Sequence, residues 1–332
     1  MTAITVKTGG KLYIAGEYAV LVPGQTAIIK NIPIYMTAEI KSAKAIELFS
    51  DMFTYGVGMS PDINYQLIQE SIRTFATFLD KEVSELAPFS LLITGKMERD
   101  GKKFGIGSSG SVTVLVIKAL AALYGISLTK DQLFKLSAYT LLKLGDNGSM
   151  GDIACIAYDD LVAYQSFDRQ AISDLLSKKS LVAILEMDWG YQIDVLIPSL
   201  KTDFLVGWTR QPALSSQMVR EINSRLSKDF LMATEKEVTF VKSALQSGDK
   251  LVFASALQKV SDLLVSLSPT IYTDKLKLLK EASSDLDVVA KSSGAGGGDC
   301  GIALSFNPDD TVTLKERWQK AGIEILYQES WS

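Results

Sequence analysis

Between Phe104 and Val112 the chain reads Gly105-Ile106-Gly107-Ser108-Ser109-Gly110-Ser111, and an apolar stretch of helical character follows at once. Glycines let successive backbone N–H groups turn toward one point, and the start of a helix adds a partial positive charge, so the segment suits an anion of the phosphate kind. Ser108, Ser109 and Ser111 would serve a bare surface turn as helix caps, but one such hydroxyl is enough for a cap. Three hydroxyls with three glycines at one helix start suit phosphate oxygens and a metal ion. Lys102 and Lys103 stand just upstream as cations beside the loop.

A second segment, Ser292-Ser293-Gly294-Ala295-Gly296-Gly297-Gly298-Asp299-Cys300-Gly301, holds five glycines. Ordering so many is unfavourable without a reason. Paired with the first loop it reads as a second wall of the same phosphate site, with Gly296 and Gly297 expected against the substrate. Both loops formally satisfy the G-x-G-x-x-G dinucleotide pattern, yet neither has its context: the polar stretch Gly95 to Lys103 separates the first loop from its strand, and the second leads into a strand. The Gly-Lys-Ser/Thr ending of a P-loop is absent from both.

These loops need elements to hold them. Lys11 to Val20 and Ile29 to Ile40 are rich in β-branched and aromatic residues around Pro23-Gly24, which predicts an N-terminal run of strands. Ile68, Ile72, Phe75, Ala76 and Leu79 recur at helical spacing, Phe89 to Ile93 reads as a strand, and the helix behind the first loop should stop at Tyr124-Gly125. Thr129 with Gln132 forms a capping-box pattern for a helix ending near Leu144-Gly145, and Asp152 stands where it would cap a short helix over Ile153 to Ala157. Leu161 to Phe167 reads as a strand. Beyond Pro198, strand Phe204–Trp208, helices over Ser215 to Leu267 and Asp274 to Ser283, strands Val288–Lys291 and Cys300–Phe306, helix Thr311–Ala321 and strand Ile323–Tyr327 follow the order of a split βαββαβ unit. The expected architecture is α+β in two domains, residues 1–198 and 199–332, the second ferredoxin-like with extra helices.

With 332 residues, 47% of them hydrophobic, the chain can bury cores of that size. A net charge of −4 with scattered lysines argues against a nucleic-acid partner. Met1 to Lys11 has no apolar signal core, and the longest apolar run, Val112 to Tyr124, is broken by Lys118 and too short to span a bilayer, so a cytoplasmic protein without membrane partners is expected. Cys155 and Cys300 lack CxxC spacing and are expected to be reduced core residues. The chain has no histidine, which removes imidazole acid/base chemistry and leaves Asp, Glu, Lys, Ser and backbone groups to do the work.

The sequence resembles the GHMP kinase superfamily through three segments in order: Lys11-Leu12-Tyr13-Ile14-Ala15-Gly16-Glu17-Tyr18, the Gly105 to Ser111 loop, and Ser293 to Gly301. Tyr18 after Glu17, Lys96 to Phe104, and Gly148-Ser149-Met150-Gly151-Asp152 are similar to the bacterial branch that acts on 5-phosphomevalonate. The resemblance implies an N-terminal domain like ribosomal protein S5 domain 2, a C-terminal ferredoxin-like domain, and transfer of the ATP γ-phosphoryl group to the phosphate of 5-phosphomevalonate. Mevalonate kinase is the nearest rival reading, and a catalytically silent ATP-binding sensor is a rival of another class.

By the same resemblance the Gly105–Ser111 loop holds ATP phosphates, Ser109 faces Mg²⁺, and Asp152 pairs with Lys11 at the reacting centre, with Lys103 expected to help neutralise charge. The magnesium shell's acidic partner stays open, with Asp146 the nearest carboxylate in sequence. Tyr18, Ser149, Ser215 and Ser216 are expected at the acceptor, Ser50 and Asp51 near the nucleoside. A monomer or homodimer is expected.

Overall fold

The computed structural model describes residues 3–213 and 215–332, the side chains of residues 215–217 excepted. The chain opens with β1 (Ile4–Ala15), a 3₁₀ turn at Ala19–Leu21, the long strand β2 (Thr26–Ser42), β3 (Glu47–Ser50) and helix α1 (Gln66–Phe78). After β4 (Phe89–Thr94) comes a small hairpin of β5 (Glu98–Arg99) and β6 (Lys102–Lys103), then α2 (Ser108–Leu123), α3 (Lys130–Lys143), α4 (Gly151–Tyr158), β7 (Leu161–Gln165), the short helices α5 (Arg169–Ser173) and α6 (Leu181–Glu186), and β8 (Gln192–Val195).

β2 organises this first layer. β1 runs antiparallel along one edge of it, while β4 and β7 share the other edge at opposite ends; β3 adds beyond β4 in parallel and β8 beyond β7. α2 lies against β1 and β2 and also meets α1, α3 and α4, so it is covered on all sides. Its sequence explains why: Val114 to Ala121 is apolar almost without interruption and buries nearly every residue.

The chain crosses to a second sheet between Val195 and Thr202. There β9 (Thr202–Trp208), α7 (Ser215–Asn223), α8 (Lys228–Ser247), α9 (Lys250–Leu267), α10 (Asp274–Glu281), β10 (Val288–Ser292), β11 (Cys300–Ser305), α11 (Pro308–Lys320) and β12 (Glu324–Trp331) build an antiparallel sheet ordered β10-β11-β9-β12. That order, with helices between β9 and β10 and between β11 and β12, is the ferredoxin-like arrangement the pattern predicts. Among the described residues no helix is long and apolar enough to cross a membrane.

Local signals account for most element ends. Thr129 Oγ1 accepts the Gln132 N–H at 3.1 Å while Gln132 Oε1 accepts the Thr129 N–H at 3.0 Å, completing the capping box. Pro308 at the start of α11 follows an Asn307 side chain that accepts the Asp309 N–H. Two expectations need correction. The strand expected through Val20 stops at Ala15, because Gly16 and Tyr18 take φ of 91° and 62° and swing the chain into the 3₁₀ turn. The cap of α4 is Met150, with Asp152 inside the first turn. β3, β8 and the β5–β6 hairpin, which forms within the polar stretch Gly95–Lys103, are additions to the pattern read from sequence.

Candidate active site

The first loop delivers an uncapped helix start. Gly107 is the N-cap of α2, at a φ of 84° that L-residues rarely take, and no side chain caps the helix. Among the described residues the N–H groups of the first turn therefore have neither an intrahelical nor a side-chain partner. Ser109 is exposed on that turn and Ser108 half-buried beside it.

Side chains from two other elements close on this turn wherever a glycine leaves room. A methyl group at Gly107 would stand 2.9 Å from Lys11 Cε, so the Lys11 stem lies across that glycine; the Lys11 backbone N–H also donates to Ile106 O at 2.8 Å. On the neighbouring side a methyl at Gly110 would stand 2.8 Å from Asp152 Oδ2. Lys11 and Asp152, 141 positions apart in sequence, thus flank one helical turn.

From the second domain comes Asp299, whose carboxylate would overlap any Cβ at Gly105. Its Oδ1 accepts the Ala213 N–H at 3.2 Å. Burial raises the Asp299 carboxyl above its ordinary range, and the Ala213 N–H and the charges of Lys11 and Lys103 pull it partway back. Lys11, Lys103, Gly105 and Asp299 therefore share one neighbourhood. Cys300 Sγ donates to Phe104 O at 3.1 Å and Trp208 Nε1 to Lys103 O at 3.2 Å, which fastens the entrance of the first loop to the exit of the second.

Three more contacts tie β1 and its turn to the second loop. The Tyr18 hydroxyl, on a residue 4% exposed, donates to Ala295 O at 2.5 Å, and Ser293 Oγ donates to Tyr13 O at 2.8 Å. Lys291 and Glu17 form an ion pair with side chains 0% and 2% exposed, and the ammonium also donates to Ser292 O at 2.7 Å. Tyr18 thus serves as a link between the domains. Gly296 and Gly297 are packed against Ile271 O and the Met218 sulfur.

Before α4, Ser149 Oγ lies 3.0 Å from the Tyr13 hydroxyl and accepts the Gly151 N–H at 3.2 Å, while Ser149 O accepts from the Tyr164 hydroxyl at 2.8 Å. Asp146 Oδ1 accepts the Gly148 N–H at 2.6 Å. Although Asp146 is exposed as a residue, protein crowds its carboxyl and lost hydration raises its pKa, with the Asp152 charge adding to the rise and the Gly148 N–H and Arg169 opposing it. Two carboxylates thus face the same region.

Ser111 is a correction. Its hydroxyl is buried 2.8 Å from Thr8 Oγ1 and its N–H donates to Gly107 O at 3.0 Å, so both polar groups are used inside the fold rather than in the cradle. At the end of β3, the Asp51 carboxylate accepts the Gly95 N–H from just beyond β4 at 2.9 Å, and the Ser50 Oγ accepts the Met52 N–H at 3.3 Å as a local turn contact. Ser215 and Ser216 begin α7, with side chains outside the described residues. Asp299, Tyr13 and the Glu17–Lys291 pair were not singled out by sequence reasoning. Asp299 left a usable signal as the sole charged residue between Ser292 and Gly301.

Comparison with known families finds two matching domain models. The model of the GHMP kinases N-terminal domain matches residues 67–160, and that of the GHMP kinases C-terminal domain matches residues 241–324. The chain belongs to the GHMP kinase family. Within it, the chain is similar to the phosphomevalonate kinase of Streptomyces sp. (strain CL190), 30% identical over 349 residues that cover 95% of this chain and 93% of that protein. It is similar also to the Streptococcus pneumoniae phosphomevalonate kinase solved in complex with phosphomevalonate and AMPPNP: 55% identity, TM-score 0.96, 98% of this chain and 99% of that one. The mevalonate kinase of Methanococcus jannaschii shares the fold at 21% identity with a TM-score of 0.75, covering 100% of this chain and 99% of the other.

Proposed function

We propose that the protein is an ATP-dependent phosphotransferase that moves the γ-phosphoryl group of ATP to the phosphate of 5-phosphomevalonate, giving 5-diphosphomevalonate and ADP. The observation that carries the reading is the uncapped turn Gly107–Gly110 with Lys11 on one side and Asp152 on the other, in a chain 55% identical to a kinase solved with both kinds of ligand.

Phosphoryl transfer asks for positioning and charge neutralisation more than covalent chemistry. The open N–H groups of the Ser108–Gly110 turn and the α2 dipole hold the nucleotide phosphates. Lys11 and Lys103 supply positive charge where several phosphate groups meet. A phosphomonoester has a second pKa near about 6, so the attacking oxygen is already ionised at neutral pH and no strong base is required. Asp152 orients the acceptor and Lys11, and Ser149 binds the acceptor phosphate.

Among the described residues no group of three or more His, Cys, Asp or Glu side chains could hold a metal ion alone. Magnesium in phosphoryl-transfer sites needs only one or two carboxylates beside substrate phosphates, and the hard oxygens of Ser109 and Asp152, with Asp146 behind them, fit that demand. Ser109 and Asp152 would hold the ion, which would supply positive charge to offset that of the phosphate groups.

A coupled ADP assay with Mg-ATP, offering mevalonate, 5-phosphomevalonate and 5-diphosphomevalonate separately, tests the reading. ADP release is expected with 5-phosphomevalonate alone. Turnover of mevalonate in its place, or nucleotide binding without turnover of any of the three, would overturn it.

A further inference from the structure

Tyr13 lies two residues after Lys11 on β1, so the two side chains share a face of the strand. The Lys11 ammonium stands 5.2 Å from the centroid of the Tyr13 ring, within cation–π range. At the far end of the ring, the hydroxyl meets Ser149 Oγ at 3.0 Å, and a methyl at Gly151 would stand 2.7 Å from it. The phenol is therefore pressed against the first residue of α4, with Asp152 next in the chain. Its backbone carbonyl receives the Ser293 hydroxyl from the second domain. One residue thus touches the cation, the acceptor loop, the helix carrying the aspartate, and the opposite domain.

We propose that Tyr13 is a positioning residue for the acceptor half of the site: its hydroxyl donates to Ser149 and fixes the Ser149–Asp152 turn, and its ring seats the Lys11 ammonium. The inference rests on the function proposed above. Hydrogen-bond valence gives the donor direction its consequence. A serine hydroxyl has two lone pairs and one proton. The Gly151 N–H takes one lone pair and the Tyr13 hydroxyl the other, which leaves the Ser149 proton free for a phosphate oxygen of the acceptor. Burial raises the Tyr13 hydroxyl far above the usual phenol range, with the Asp152 and Glu17 charges adding to the rise and the Ser149 bond opposing it, so the group stays protonated and able to donate.

The test is a double-mutant cycle of Tyr13→Phe and Ser149→Ala in the 5-phosphomevalonate assay, with KM determined separately for each substrate. Phenylalanine keeps the ring beneath Lys11 and removes only the hydroxyl. The expected result is a rise of about tenfold in the KM for 5-phosphomevalonate, with the ATP KM within about twofold of wild type, and no further rise when Tyr13→Phe is added to Ser149→Ala. Unchanged acceptor KM, equal changes in both KM values, or full additivity with Ser149→Ala would each overturn the inference while wild-type turnover leaves the functional reading standing. A wild type that fails to turn over 5-phosphomevalonate overturns both.

Discussion

In the loop that opens α2, the glycines make room for side chains from elsewhere: Lys11 over Gly107, Asp152 against Gly110, Asp299 against Gly105. In the loop between β10 and β11, the space freed at Gly296 and Gly298 is filled by the backbone carbonyls of Ile271 and Gln211, and at Gly297 by the Met218 sulfur. Glycine content is similar, yet the first loop gathers charged groups around exposed amides, and the second threads a crowded domain junction and presents Asp299, Ala295 and Ser293. What a glycine admits, rather than how many glycines there are, distinguishes the two loops.

Three experiments press on that contrast. The largest effect should come from Lys291→Met, at the root of the second loop. It leaves the Glu17 carboxylate buried without its cation, where the second oxygen already has no hydrogen-bond partner among the described residues. A loss of about 3–5 kcal/mol in denaturant unfolding is expected, and the double variant Glu17→Leu/Lys291→Met should regain most of it. A single variant as stable as wild type would remove the structural role assigned to this junction.

Next, Gly110→Ala and Gly297→Ala should part company. Alanine at Gly110 relieves a helical glycine, worth up to about 1 kcal/mol, but its methyl pushes on Asp152 Oδ2, so turnover should fall about 10- to 100-fold with Tm held. Alanine at Gly297 must adopt a φ of 73° and displace Met218, so Tm should drop by the equivalent of about 1–3 kcal/mol with turnover of the folded enzyme nearly unchanged. An acceptor KM that moves with Gly297→Ala would instead give that glycine the substrate-side role expected from sequence.

The smallest effect tests the charge that the second loop brings to the first. Because the Asp299 pKa is raised in the folded state, the native protein keeps this proton over a pH range in which the unfolded chain has lost it. Stability therefore falls as pH climbs from the ordinary carboxylate value of 3.8 through the raised one. Asp299→Asn, which keeps an acceptor for the Ala213 N–H, should gain about 1–3 °C in Tm at pH 7 to 8 and nothing near pH 4. A gain that is the same at both ends would show that the charge is irrelevant.

Much of this arrangement was legible because the signals were local. The Thr129/Gln132 box, the glycine after Tyr124 and the strand–helix alternation beyond Pro198 depend on neighbours in sequence, and each appears at or near its expected place. The failures share the opposite property. Ser111 looks like Ser108 and Ser109 until Thr8, on a strand about a hundred residues away, claims its hydroxyl. The turn after Ala15 needs a tyrosine at positive φ, which no local preference predicts and which the contact of Tyr18 with Ala295 across the domains helps to hold. Lys291, in a run reading Val-Val-Ala-Lys-Ser, gives no hint that its partner lies at the opposite end of the chain.

Tyr13 with Ser293, Glu17 with Lys291, and Tyr18 with Ala295 join two short stretches like the teeth of a zipper. A chimera assembled from two parent kinases, one lending each half, inherits a sound junction only if both rows of teeth match. Crossovers placed anywhere in the roughly 270 residues between them split the rows, so such a chimera depends on contacts whose two halves come from opposite ends of the chain.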